Sequence, residues 1–205
     1  MAAQAKKTNW FAIWVSIGTT VALALVVTLV FWLNNMATDV GQAPEGANVD
    51  VETGAILVGS GDKRLDTYLD FMCPGCGSFE AAYGETIEGL VDEGTITLGI
   101  HPISILDRLS AGTDYSTRAA NAMYCVAESD EDATLPFLQS MFANQPEEGS
   151  VGLSDEQILT IAEGVGVTDV ASCMEERTYG DFVAGMTKRT PLQPGQPRIT
   201  TPTIA

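Results

Sequence analysis

The stretch FMCPGCGSFE, residues 71–80, sets Cys73 and Cys76 in the spacing C-x-x-C with Pro74 and Gly75 between them. Its surroundings decide how it is read. Upstream, AILVG (55–59) and RLDTYLDF (64–71) are rich in strand-forming residues and are separated by the turn residues Ser60, Gly61 and Asp62, which predicts two strands. Downstream, Phe79, Tyr83, Ile87, Leu90 and Val91 recur at helical spacing and predict an amphipathic helix facing a core, ended by Gly94. TITLGI (95–100) predicts a further strand. Strand, helix and strand in that order form a βαβ unit with parallel strands. The two cysteines therefore fall where a strand passes into a helix.

That position has chemical consequences. Near a helix N-terminus, unpaired N–H groups and the macrodipole favour an anion, so a cysteine at residue 73 is biased toward thiolate. Pro74 suits the first helical turn, where its missing N–H would have had no partner. Cys76, one turn in, can close a disulfide with Cys73 and act second in thiol–disulfide exchange. An inert structural disulfide and a zinc site remain as alternatives. Zinc would need C-x-x-C together with Cys125, Cys173 or His101, and the second cysteine pair is too widely spaced for the usual two close pairs. We therefore expect no metal and no cofactor.

Working outward, residues 114–190 read as helical. DYSTRAANAMYCVAE (114–128) is rich in helix formers, and 135–143 continues the pattern. Ser154 and Gln157 form a capping box before a helix starting at Asp155, with Leu153 and Ile158 as a hydrophobic staple; Gly164 and Gly166 stop it. Shorter helices are expected from Asp169 and Tyr179, then a loop over PLQPGQPR (191–198), then β-like ITTPTIA.

Toward the N-terminus, WFAIWVSIGTTVALALVVTLVFWL (10–33) is 24 residues without a charge. At about 1.5 Å per residue it exceeds the ~30 Å hydrocarbon core and is too long for a cleavable signal, so an uncleaved transmembrane anchor in the lipid bilayer is expected. Trp10, Trp14 and Trp32 suit its interfaces, and Lys6 and Lys7 place residues 1–9 in the cytoplasm. Residues 34–54 read as an extracytoplasmic linker, and 55–205 as the folded domain. The chain of 205 residues carries -17 overall; beyond the anchor, 8 basic and 27 acidic residues leave -19. Scattered basic residues exclude nucleic-acid binding. No dinucleotide fingerprint, phosphate loop or Ser-His-Asp pattern is present in the sequence.

Taken with a helical block after the second strand of the unit and Thr201-Pro202-Thr203 near the end, FMCPGCGSFE resembles the thioredoxin superfamily. Within it the chain resembles the membrane-anchored DsbA-like thiol-disulfide oxidoreductases of high-GC Gram-positive bacteria. HPISILDRLSAGTDYSTRAANAMYCVAE (101–128), with His101, Asp107, Tyr115, Arg118 and Cys125, carries that likeness. The resemblance implies an α/β thioredoxin-like fold with a helical insertion over about 103–190. It makes Cys73 the exposed nucleophile, Cys76 its buried partner, and Pro202 a cis proline facing them. Thr201 would then offer backbone groups to an extended substrate by β-augmentation. The implied activity is oxidation of cysteine pairs in unfolded secreted proteins, with reoxidation by a quinone-linked membrane oxidase. A reductase or isomerase of the same fold, and a non-catalytic assembly subunit, are the alternatives.

Two departures stand out. Strong oxidants of this type often carry histidine between the cysteines, whereas Gly75 has no side chain, so a less oxidising pair is expected within about -270 to -120 mV. Related proteins also continue past the cis proline through further strands and a helix, so a fragment of the fold is expected, a sheet that lacks its usual edge being the alternative. With Cys73 and Cys76 paired as the resemblance implies, Cys125 and Cys173 are expected to form a structural disulfide, two buried free thiols being the alternative. His101 is expected to be a hydrogen-bonded turn residue rather than a catalytic one. Alternation puts Asp66 and Asp70 on one face with Tyr68, and a solvated face is expected there, the alternative being a buried carboxylate that relays protons with a raised pKa.

Overall fold

The computed structural model describes residues 10–38 and 41–205, which form two separate units. The first is helix α1 (Trp10–Thr38), in which Ile13–Phe31 has a mean hydropathy of 2.3 and is long and apolar enough to cross a membrane. The hydroxyls of Thr19, Thr20 and Thr28 are satisfied within the helix: Thr19 and Thr20 donate to the Ser16 carbonyl at 2.9 and 2.8 Å, and Thr28 donates to that of Ala24 at 2.9 Å. A hydroxyl so occupied is compatible with an apolar solvent. The helix continues to Thr38, past the uncharged stretch, so the start of the expected linker is helical instead. Residues 1–9, with Lys6 and Lys7, and the side chain of Trp32 lie outside the described residues.

The second unit is built on a mixed sheet of β1 (Val49–Asp50), β2 (Ala55–Val58), β3 (Lys63–Leu69), β4 (Ile96–Pro102) and β5 (Thr203–Ile204), in the spatial order β1-β2-β4-β3-β5. β3 and β4 run parallel, in register from Lys63↔Ile96 to Leu69↔Pro102. Helix α2 (Pro74–Asp92) crosses between them, giving the βαβ unit that the periodicity predicts. β2 and β5 flank the parallel pair, each antiparallel to its neighbour. This is the thioredoxin-like α/β fold expected, with its helical insertion.

The linker expectation over 34–54 needs correction. Pro44 and Asn48 are buried, β1 pairs with β2 through Val49↔Ile56 and Asp50↔Ala55, and the Glu45 N–H donates to the Glu128 carboxylate at 2.8 Å. Folded structure therefore begins near residue 41 rather than 55. The segment has few large apolar side chains and is held by backbone pairing and polar contacts, so it carries no hydrophobic period to read.

Between β4 and β5 the chain forms α3 (Tyr115–Ser129), α4 (Thr134–Ala143), α5 (Asp155–Gly164), α6 (Ala171–Glu175) and α7 (Gly180–Thr187), with short 3₁₀ turns at Asp107–Leu109 and Glu131–Ala133. α3 is the centre of this insertion: Tyr115, Ala119, Ala120, Met123, Tyr124 and Val126 are all fully buried. The α5 capping box forms as expected, with Gln157 N–H donating to Ser154 Oγ at 3.2 Å and Ser154 N–H to Gln157 Oε1 at 2.8 Å. A disulfide between Cys125 and Cys173 ties α6 to α3. Asn121 reinforces that junction, donating to the Cys173 carbonyl at 3.3 Å and accepting from the Tyr179 N–H at 2.8 Å.

Candidate active site

Cys73 occupies the N-cap of α2, with extended backbone (φ -76, ψ 116), and Pro74 opens the first turn. Its carbonyl accepts the N–H groups of Cys76 at 3.0 Å and Gly77 at 3.2 Å, which starts the helix, and its own N–H donates to the Asp70 carbonyl at 2.9 Å. Both thiols are free. Cys73 Sγ lies 3.5 Å from the Thr201 carbonyl oxygen, and the Thr201–Pro202 peptide is cis. A Cβ on Gly75 would stand 3.3 Å from Pro202 Cδ, so this loop rests on the bare Gly75 backbone. The structure thus brings together Cys73, Pro74, Gly75, Cys76, Thr201 and Pro202, with Cys73 and Thr201 128 apart in sequence.

The freely exposed Cys73 implied by the resemblance is a point of correction: its exposure is 8%, because the Thr201–Pro202 loop covers the sulfur. Pro74 and Gly75 are the exposed part of the motif. Cys76 is wholly buried.

The two thiols are electrostatically unequal. The Cys76 thiol, hydrogen-bonded to Cys73, lowers the Cys73 pKa to about 5 against the cost of burial, with further help from Thr201 and the N–H groups of Cys76 and Gly75. The same contact, followed by burial and the charge on Cys73, pushes Cys76 far above the ordinary thiol range. Near neutral pH the pair therefore holds one proton, and Cys76 keeps it.

Two further residues surround the motif, of which the sequence raises only Asp70, with burial as the less favoured reading. Asp70 is fully buried, which overturns the solvated face expected for it. Its carboxylate accepts the Met72 N–H at 2.9 Å, the Ser116 hydroxyl at 2.7 Å and the Leu106 N–H at 3.0 Å, joining the end of β3 to the insertion. Burial raises its pKa to about 6 in spite of those donors. Gln145, in the loop after α4, donates through Nε2 to the carbonyls of Phe71 at 3.0 Å and Cys73 at 2.8 Å. Asp70 gave a signal in its position near the cysteines, but not the identity of what covers it. Gln145 gave none.

His101 lies within β4 rather than in a turn, and it is buried. Its Nε2 meets Asp66 Oδ1 at 2.8 Å, and its ring stacks on Tyr68 with centroids 3.9 Å apart. Burial lowers its pKa, against the pull of Asp66. Asp66, also paired with Arg64 at 2.9 Å, is partly exposed, so one of the two carboxylates does lie toward solvent. Among the described residues no cluster of three or more His, Cys, Asp or Glu side chains is placed to hold a metal ion.

A mixed sheet with a parallel βαβ core, two unequal thiols at the first turn of the crossover helix and a cis proline against them define a protein of the thioredoxin class. The chain belongs to the thioredoxin family, whose profile matches residues 56–205. Among solved structures it is similar to the reduced form of the disulfide bond oxidoreductase DsbG from Mycobacterium tuberculosis, with TM-score 0.66 and 30% identity over 74% of this chain and 76% of that one. It is likewise similar to reduced DsbA from the same organism, with TM-score 0.65 and 30% identity over 74% and 81%. The thiol-disulfide oxidoreductase MdbA from Corynebacterium diphtheriae shares the fold at 21% identity, with TM-score 0.64 over 80% and 87%. Among curated proteins, the serine/threonine-protein kinase PknE of M. tuberculosis is 29% identical over 153 residues, covering 71% of this chain and 27% of the kinase. The chain thus spans about a quarter of the length of the curated relatives it matches.

Proposed function

We propose that the chain is a membrane-tethered, extracytoplasmic thiol-disulfide oxidoreductase that oxidises cysteine pairs in unfolded secreted or cell-surface proteins. The observation that carries this reading is the Cys73 thiol, drawn down to about 5 beside a cis-proline loop. In the oxidised enzyme a substrate thiolate attacks Cys73 Sγ, the Cys73–Cys76 bond breaks, and Cys76 takes up a proton. A second substrate thiolate then attacks the substrate sulfur of the mixed disulfide, and Cys73 leaves as a thiolate. Two electrons pass from substrate to enzyme. A low-pKa leaving group speeds the second step and stabilises the reduced enzyme, which is the property of an oxidant.

Thr201 supports the same reading. Its N–H has no hydrogen-bond partner among the described residues, and it stands next to Cys73, so an extended substrate strand has a backbone donor to meet. Return to the disulfide state is assigned to a quinone-linked membrane oxidase. α1 would hold the domain at the membrane, with residues 1–9 on the cytoplasmic side by virtue of Lys6 and Lys7.

Two measurements test the proposal. Equilibration with glutathione should give a reduction potential above about -250 mV; a lower value assigns the chain to reduction instead. A Cys76→Ala variant should trap clients as mixed disulfides through Cys73. No trapped species, together with a wild-type pair inert to dithiothreitol, sinks the redox reading altogether.

A further inference from the structure

The redox motif is held from outside its own strand and helix. Gln145 lies 72 residues from Cys73, in the insertion, and its single amide nitrogen spans the strand-to-helix bend. One of its N–H bonds ends on Phe71 O and the other on Cys73 O, so both amide hydrogens are spent on the two carbonyls that bracket Met72. Those carbonyls determine where the bend points the Cys73 side chain. The Cys73 carbonyl is also the acceptor for Cys76 and Gly77, which means that Gln145 braces the hydrogen bonds that begin α2.

The other end of the amide explains a glycine. A Cβ on Gly77 would lie 2.1 Å from Gln145 Oε1 and 3.0 Å from its Cδ. Gly77 is in the second position after Gly75, inside a helix where glycine is intrinsically unfavourable. Its backbone is not left-handed, so conformational freedom does not account for it. Space for the Gln145 amide does.

We propose that Gln145 is a positioning residue through which the helical insertion holds the Cys73–Cys76 motif in its reactive geometry, Gly77 being left bare to admit the amide. This rests on the reading of Cys73 and Cys76 as the redox pair. The clamp acts on the backbone of Cys73 and, through it, on the approach of the Cys76 thiol and of the Cys76 and Gly75 N–H groups to the Cys73 sulfur. Loosening it weakens those contacts and with them the thiolate.

Gln145→Met keeps the length and approximate volume of the side chain but removes both donors and adds no charge. Thiolate absorbance near 240 nm, followed against pH in the full chain, reads the ionisation of Cys73; equilibration with glutathione reads the redox balance. We expect the Cys73 midpoint to rise by about half a unit or more and the equilibrium to move about three- to tenfold toward the disulfide form, roughly 15 to 30 mV more negative. Gly77→Ala should do the same by displacing the amide, even though alanine favours the helix. Because the two changes break one contact, the double variant should shift no further than either alone.

If Gln145→Met lowers the melting temperature while leaving the Cys73 midpoint and the glutathione equilibrium at wild-type values, Gln145 is only a packing residue and the proposal fails. Unchanged redox behaviour in Gly77→Ala overturns the role given to that glycine. Additive shifts in the double variant overturn the shared contact. A wild-type Cys73 that titrates as an ordinary thiol would instead strike at the redox reading itself, which keeps the two failures apart.

Discussion

Cys73 and Cys76 are chemically identical residues three positions apart, and the structure separates them by what each sulfur faces. Cys76 is the largest single cause of the low Cys73 pKa, so removing it should show in the titration of the remaining thiol. In Cys76→Ala, the Cys73 midpoint should move up from about 5 toward the ordinary thiol range, read by thiolate absorbance. The wild-type pair gives a second signature. Above the Cys73 midpoint, reduction takes up one proton for two electrons, so the potential should fall by about 30 mV per pH unit; below it the slope should double.

Asp70 makes a separate prediction at this scale. Its pKa is raised from 3.8 to about 6 by burial, so the folded state holds a proton that the unfolded state has released over that interval. Stability from this group is complete below pH 3.8 and is lost as pH rises through about 6, an effect of roughly 3 kcal/mol. Urea denaturation across that window should show the decline, and Asp70→Asn should flatten it. The C-x-x-C was legible because its members are neighbours in the chain. The burial of Asp70 was not: alternation gives the face of a strand, while Leu106 and Ser116, which cover that face, come 36 and 46 residues later.

At the scale of elements, what could be read was what repeats. The βαβ unit follows from alternating and helical periods, and α5 from a local capping box. β1 is two residues long and has no period, so residues 41–54 read as a linker although they pack on the domain. Gln145 belongs to the same class of omission, since a loop amide acquires its role from carbonyls more than 70 residues away. The Cys125–Cys173 bridge joins two helices across 48 residues and is distinct from the free pair. Replacing both cysteines with alanine should lower stability by about 4 kcal/mol by the chain-entropy estimate, seen as a drop of roughly 8 to 16 °C in melting temperature. The Cys73 midpoint and the glutathione equilibrium should stay where they are. A shift in either would make the bridge an electron partner of the site rather than a strut.

For the whole molecule, charge and hydropathy divide along the same line. Every acidic residue follows the apolar helix, so the chain carries -19 over residues 34–205 and only Lys6 and Lys7 ahead of the span. A domain of that charge gains nothing from an anionic lipid surface, which leaves α1 as the feature that would hold it at a bilayer. Full-length protein should therefore stay in the membrane fraction through high salt and alkaline extraction, since neither disrupts a spanning helix. The direction of the span has a sharper test. In intact cells expressing Cys76→Ala, where Cys73 has no intramolecular partner, a membrane-impermeant maleimide should label Cys73 after external reduction. Labelling that requires lysis would put the thiols on the cytoplasmic side, in a reducing compartment where an oxidant of secreted proteins has no substrate.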